Sequence, residues 1–153
     1  MGLVDWASNG WLRAHKTSTQ EIRQLFQIVE RDLKDARQIG VSSDWRFGIA
    51  YNAALKLCTI LVYSEGYRPE KTLAHYRTLQ ALPLVLGPEK EADADYLDSC
   101  RTKRNTVEYD YVGGATNADA DELISFVEDL RQDVVDWVWK NHPALLEKRP
   151  HVP

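Results

Sequence analysis

Only two cysteines, Cys58 and Cys100, occur among 153 residues. That excludes a disulfide framework as the source of stability. Both fall inside apolar helical patterns and read as buried free thiols, which suits a reducing compartment and a cytoplasmic location. A basic excess is also missing: 19 Lys and Arg stand against 23 Asp and Glu, a formal net charge of -4. The chain as a whole is no magnet for nucleic acid, so any such contact needs a local basic patch. Charges interrupt every long apolar stretch, and no membrane span is expected. The opening residues, MGLVDWASNGWLRAHK, hold no basic segment followed by an apolar run, so no signal peptide is expected. Internal repeats and low-complexity tracts are absent. His15, His75, His142 and His151 have no metal-ligand spacing to one another or to a cysteine. No metal and no cofactor are therefore expected. His75, in TLAHYRTL, lies in the body of the fold and reads first as a structural histidine. Serine-nucleophile patterns and phosphate-cradling glycine loops are lacking too. Gly113-Gly114 follows a helical pattern and reads as a stop signal.

What is present is ordinary for one globular domain: 44% hydrophobic and 27% charged residues. No segment alternates strongly enough to predict a strand. Residues 1–17 read as an N-terminal extension, partly helical or loop, in which Trp6, Trp11 and Leu12 form a short helix on the body of the fold. Ser18 and Glu21 make a capping box, followed by Ile22, Leu25, Phe26, Val29, Leu33 and Ala36 at helical spacing up to Gly40. Ser42 or Ser43 caps a second helix, Asp44 to Gly66, apolar on most faces and hence central. A short helix spans about Thr72 to Leu82, and Pro83 breaks or kinks it. A third long helix begins near Pro88 and runs to Tyr111 or Val112. Asn117 or Asp119 caps a fourth, which carries Leu123, Phe126, Val127, Leu130, Val134, Trp137 and Val138 up to Pro143. The expectation is an all-α, antiparallel up-and-down bundle of four longer helices plus one or two short ones, with a core domain over 18–142 and a loose tail over 143–153.

One stretch is unusually dense: CRTKRNTVEYDYVGG, residues 100–114. On a straight helix at about 100° per residue, Tyr96, Cys100, Val107 and Tyr111 share a narrow packing stripe. Arg104, Glu108, Arg101 and Asn105 follow around its shoulder. The polar cluster therefore borders the buried face and does not oppose it. A plain reading pairs Arg104 with Glu108, worth about 0.2–0.5 kcal/mol. Tyr109 lies five positions after Arg104, about 140° around the helix. A site using both side chains needs a kink, or a second copy of the chain in a symmetric dimer.

The order of elements resembles the HEPN superfamily, the nucleotide-binding domains of higher eukaryotes and prokaryotes. AYNAAL lies on the central helix, EGYRP at its end and RTKRNTVEYDY late in the chain. The resemblance covers roughly residues 20–140 and is most specific at Arg104-Asn105. It implies an all-α homodimer that binds RNA or a nucleotide, within a toxin–antitoxin or defence system. Arg104 matches the motif arginine and Asn105 the polar residue after it, with Arg101 nearby as a second cation for phosphate. The family's catalytic set maps onto Arg104, Asn105 and Tyr109, but Tyr109 stands where the family keeps a histidine. Histidine titrates near neutral pH, whereas tyrosine ionises near 10 and is a poor general base. The ribonuclease centre implied by the resemblance is thus degenerate here. In one branch a small nucleotidyltransferase partner modifies a tyrosine two residues beyond the motif histidine. The corresponding residue is Tyr111.

Three functions stay open on the sequence. The first is a nucleotide-, RNA- or partner-binding module with a degenerate ribonuclease centre. The second is an active metal-independent endoribonuclease, with Tyr109, Glu108 or Asp110 in the histidine's role. The third is a structural dimeric bundle without catalysis.

Overall fold

The computed structural model describes residues 2–109 and 112–147, with only the backbone at 108 and 109. The protein is all-α apart from one small sheet. Four long helices form the body: α2 (Thr19–Ala36), α3 (Ser43–Ser64), α6 (Glu91–Tyr109) and α7 (Asn117–Asn141). Short helices α1 (Leu3–Ser8), α4 (Ala74–Gln80) and α5 (Leu82–Leu86) sit around them.

Local chemistry sets the helix ends. Ser18 caps α2 by accepting from the Glu21 amide at 3.1 Å. The Glu21 carboxylate does not complete the expected capping box. It accepts instead from Thr17 Oγ1 and meets His15 Nε2, both at 2.7 Å. Ser42 caps α3 through the Trp45 amide, which frees Ser43 Oγ to donate to the Ala115 carbonyl. The cap of α7 is Thr116, ahead of the expected Asn117 or Asp119, because Thr116 and Asp119 satisfy each other's amides reciprocally. The helix expected over Thr72 to Leu82 continues past Pro83 as α5, where the ring occupies an early helical position that needs no amide donor.

Helix α3 is the axis of the bundle and packs against α2, α6 and α7. Ala50, Ala53, Ala54, Leu57, Cys58 and Ile60 are wholly buried. The alanines let neighbouring backbones come close, so enlarging one costs about 1–3 kcal/mol of overpacking. By length and composition α3 could cross a membrane, yet 72% of its most apolar stretch is buried against the rest of the protein. Burial in the core accounts for its apolarity.

Two sets of contacts fix the helix directions. At one end Arg46, on the first turn of α3, donates to the Ala36 carbonyl at 2.7 Å and to Asn117 Oδ1 at 3.1 Å. The end of α2 and the starts of α3 and α7 therefore meet there. Asp44 accepts from the Gly113 and Ala115 amides at 2.6 and 3.0 Å, which brings the α6–α7 connection to the same place. Gly113 turns there at φ +86°, a conformation side chains disfavour. At the opposite end His142 meets Glu65, and Thr19 donates to the Ala144 carbonyl. Consecutive long helices therefore alternate in direction, as expected of an up-and-down bundle.

The sequence predicts no strand, but β1 (Leu12–Ala14) pairs antiparallel with β2 (Tyr67–Pro69), with Arg13 opposite Arg68. Three residues are too few to show a period of two, which is why the pattern gave no sign of them. The pairing carries the N-terminal segment onto the bundle. Of its residues, Trp6 lies on α1 and Leu12 on β1, not on one common helix. Both are buried with Val62 and Ala81 in a second, smaller core. Beyond α7, a single 3₁₀ turn over Pro143–Leu145 is anchored by Thr19 and by the Arg23–Glu147 pair.

Candidate functional site between α3, α4 and α6

Helix α6 starts with Glu91 and Asp93 in its first turn, where acids complement the helix dipole. Ala94, Leu97, Cys100 and Val107 are its buried face. Cys100 and Val107 were expected there. Tyr96 is half-buried, its ring 4.8 Å from that of Phe126, while Leu97 is wholly buried although it lay outside the expected stripe. Tyr111 lies outside the described residues, as do Asp110 and the side chains of Glu108 and Tyr109. The expected Arg104–Glu108 pair and the candidate modification site at Tyr111 fall among them.

Arg104 and Arg101 lie along the edge of the buried face and are half-buried. The Arg104 guanidinium stands 5.7 Å from the centroid of the Tyr51 ring on α3. Arg101 Nε donates to Asp98 Oδ1 at 2.8 Å, and its guanidinium lies 5.8 Å from the Tyr76 ring on α4. Asn105 is exposed. Thus the two arginines share one neighbourhood with two tyrosines from other helices.

Tyr51 is 1% exposed, and its hydroxyl has no hydrogen-bond partner among the described residues. Burial raises its pKa, while the charges of Arg101 and Arg104 act to lower it. Such a buried orphan polar atom is uncommon and needs a reason.

His75 is the residue that sequence reasoning misjudged. It is exposed, and among the described residues it makes no hydrogen bond or ion pair, so it is not a satisfied structural histidine. Its pKa is lowered, first by partial desolvation and then by the charges of Arg104, Lys56 and Arg101. With Lys71, Tyr76 and Arg101 it lines a cavity of about 320 Å³ between α4 and α6. Leu73, at the start of α4, turns in left-handed backbone with φ 55° and ψ 30°, a conformation rare for a side chain of that kind. No periodicity in the sequence links position 75 to 101 or 104; only the packing of α4 on α6 does. Four cations, Lys56, Lys71, Arg101 and Arg104, therefore gather around His75, with Asp98 paired to Arg101. The overall negative charge of the chain hides this local excess.

His15 and His142 are committed elsewhere. His15 pairs with Glu21 and its ring lies 4.5 Å from that of Tyr63. His142 pairs with Glu65 and lies 5.2 Å from the Trp137 ring. Both border a larger cavity of about 750 Å³ at the far end of the bundle. Among the described residues no group of three or more His, Cys, Asp or Glu side chains could hold a metal ion. Trp45, at the start of α3, is 61% exposed.

No family model, no curated protein and no solved structure matches this chain.

Proposed function

We propose that this chain is a HEPN-like module that binds RNA or a nucleotide, with a degenerate ribonuclease centre. In this reading it works as a cytoplasmic homodimer, one member of a toxin–antitoxin or defence pair. The observation that carries the reading is the joint position of Arg101 and Arg104 beside Tyr51 and Tyr76. Guanidinium groups suit phosphate recognition because their planar donors match its oxygens. Exposed aromatic faces such as Tyr76 suit base stacking, which is tolerant of sequence. Asn105, exposed on the same helix, adds a polar contact to the backbone of a bound strand. Tyr109 in place of the motif histidine leaves the centre without a proton carrier at that position. Tyr111 is the site at which a small nucleotidyltransferase partner would attach nucleotides. Support for the dimer comes from Trp45 and Val112, 61% and 91% exposed, on either side of the Asp44–Gly113 contact. Large exposed apolar groups close together fit an interface.

The test is purified protein with labelled single-stranded RNA, run alongside Arg104→Ala. Binding without cleavage, weakened in the variant, is the expected result. Cleavage that disappears in Arg104→Ala would instead establish the active ribonuclease. RNA binding indifferent to Arg104 would leave the structural bundle.

A further inference from the structure

We infer that the cavity between α4 and α6 is a terminal-phosphate subsite in which His75 takes up a proton as the anion binds. This deepens the nucleotide-binding reading and rests on it. The ligand class is a phosphate dianion, carried either by a nucleotide as its monoester end or by free inorganic phosphate.

Two observations converge on this place. First, the cavity, about 320 Å³, is lined by the donors of Lys71, His75 and Arg101, with Tyr76 beside them. That volume lies at the small end of the roughly 300–1,000 Å³ range of ligand sites. Second, among the described residues Lys56 and Lys71 have no acidic partner, and His75 makes no hydrogen bond or ion pair. Cations gathered beside an imidazole repel one another, and a dianion relieves that repulsion.

The groups around His75 determine the sign of the pH effect. From α6 come Arg104, Arg101 and the Asp98 carboxylate that pairs with Arg101. From α3 comes Lys56, and from the segment before α4 comes Lys71. Arg68 on β2 lies instead over the Tyr63 ring, Arg77 on α4 lies over Trp11, and α5 carries no charge. Partial desolvation, and then the charges of Arg104, Lys56 and Arg101, hold the empty-site imidazole below its ordinary value of 6.5. A bound dianion reverses the local charge and raises that value. Affinity therefore increases as pH falls through the bound-state value and levels off below the free-state value. The second ionisation of a phosphate ester, near 6, works against this by removing ligand charge. Sulfate, whose charge is fixed, isolates the contribution of His75.

The experiment is an NMR titration of the His75 imidazole in the full chain, with sulfate, inorganic phosphate and adenosine monophosphate as probes. The expected result is a His75 pKa that rises by about one unit with saturating anion. Sulfate affinity then increases about tenfold from pH 8 to pH 5. His75→Gln keeps weak sulfate binding and loses its pH dependence, while Lys71→Ala, at an exposed position, lowers affinity without disturbing the fold. Tighter binding of the nucleotide than of inorganic phosphate identifies a nucleotide as the source, and equal binding identifies the free anion. A His75 titration unmoved by all three probes would overturn the subsite. If RNA still binds through Arg104 in that case, only this inference fails. If RNA binding is absent as well, the nucleotide-binding reading fails with it.

Discussion

The guanidinium of Arg104 on α6 rests over the ring of Tyr51 on α3, 5.7 Å from its centroid. The cation is thus held against the most buried helix of the protein. A contact of this kind is worth about 0.5–2 kcal/mol, and its geometric consequence matters more. Arg104 is pre-oriented beside Arg101, so little side-chain entropy is lost when both engage one backbone. Arg104→Ala should weaken RNA binding about tenfold, equivalent to about 1.4 kcal/mol. The loss should be similar for all sequences, since a phosphate contact carries no base information. In a plot of log affinity against log salt the slope should become shallower by about 0.7. Filter binding over a salt series checks it, and a sequence-dependent loss would contradict a phosphate role.

Tyr109 should be the position that decides whether this site cuts. Its backbone closes α6, five residues after Arg104. With Tyr109→His, an imidazole that titrates near neutral pH replaces a phenol that ionises near 10. The expected outcome is RNA cleavage in Tyr109→His, none in the parent chain, and none in the double variant with Arg104→Ala. Gel analysis of RNA fragments measures it. Strong cleavage by the parent chain would mean that the proton carrier is already present elsewhere.

Which parts of this protein were legible in its sequence follows a physical divide. Helix α2 was readable because Ile22, Phe26, Val29 and Leu33 are buried at the spacing of one helical face. Helix α3 was readable as central because almost every face is apolar, and Ala50, Ala53, Ala54 and Leu57 are indeed wholly buried. The edge position of Arg101 and Arg104 followed from simple rotation about α6. Strands β1 and β2 were not readable, since each is three residues long and their stability comes from pairing across more than 50 residues of chain. His75 escaped for a related reason. Its meaning lies in what stands across the α4–α6 gap, and local sequence carries no record of that. Nor does pattern predict a buried acid such as Asp32, whose cost is offset by partners on neighbouring residues and on another helix.

The Trp45–Val112 end of the bundle should be the dimer contact. Their exposures of 61% and 91% are large for such side chains, and the Asp44 carboxylate ties their two segments together. Trp45→Glu should convert a dimer to a monomer at micromolar concentration with unchanged helical content, as a charge placed in an apolar interface is costly to bury. Sedimentation velocity reads the mass directly. A variant that stays dimeric would move the interface to another face.

The two thiols should be silent at neutral pH. Burial pushes the Cys58 thiol up to about 12 and the Cys100 thiol up to about 11. A disulfide reagent at pH 8 should therefore react with neither in the folded chain and with both after denaturation. The sign of the stability effect follows. Each folded-state value is above the unfolded value of about 8.5, so the contribution is fully present below pH 8.5. It declines as pH rises toward 11 and 12. Urea midpoints should fall over that window, and Cys58→Ala should flatten the fall even though its cavity lowers the whole curve.

Asp32 should be a costly residue to disturb. It is a 4% exposed carboxylate on α2. Its Oδ1 accepts from Arg31 Nε and Nη2 at 3.0 Å, and its Oδ2 accepts from Asn52 Nδ2 on α3 at 2.7 Å. A buried charge is tolerated only while such donors satisfy it. Asn52→Ala removes one donor and leaves the carboxylate oxygen unpaired inside the α2–α3 contact, a loss of about 2 kcal/mol. Replacing both residues, as Asp32→Leu with Asn52→Ala, removes the charge together with its need for a donor. The double variant should therefore lose less than the sum of the two single losses. Urea denaturation of the four chains measures the coupling, and strict additivity would show that Asp32 and Asn52 act independently.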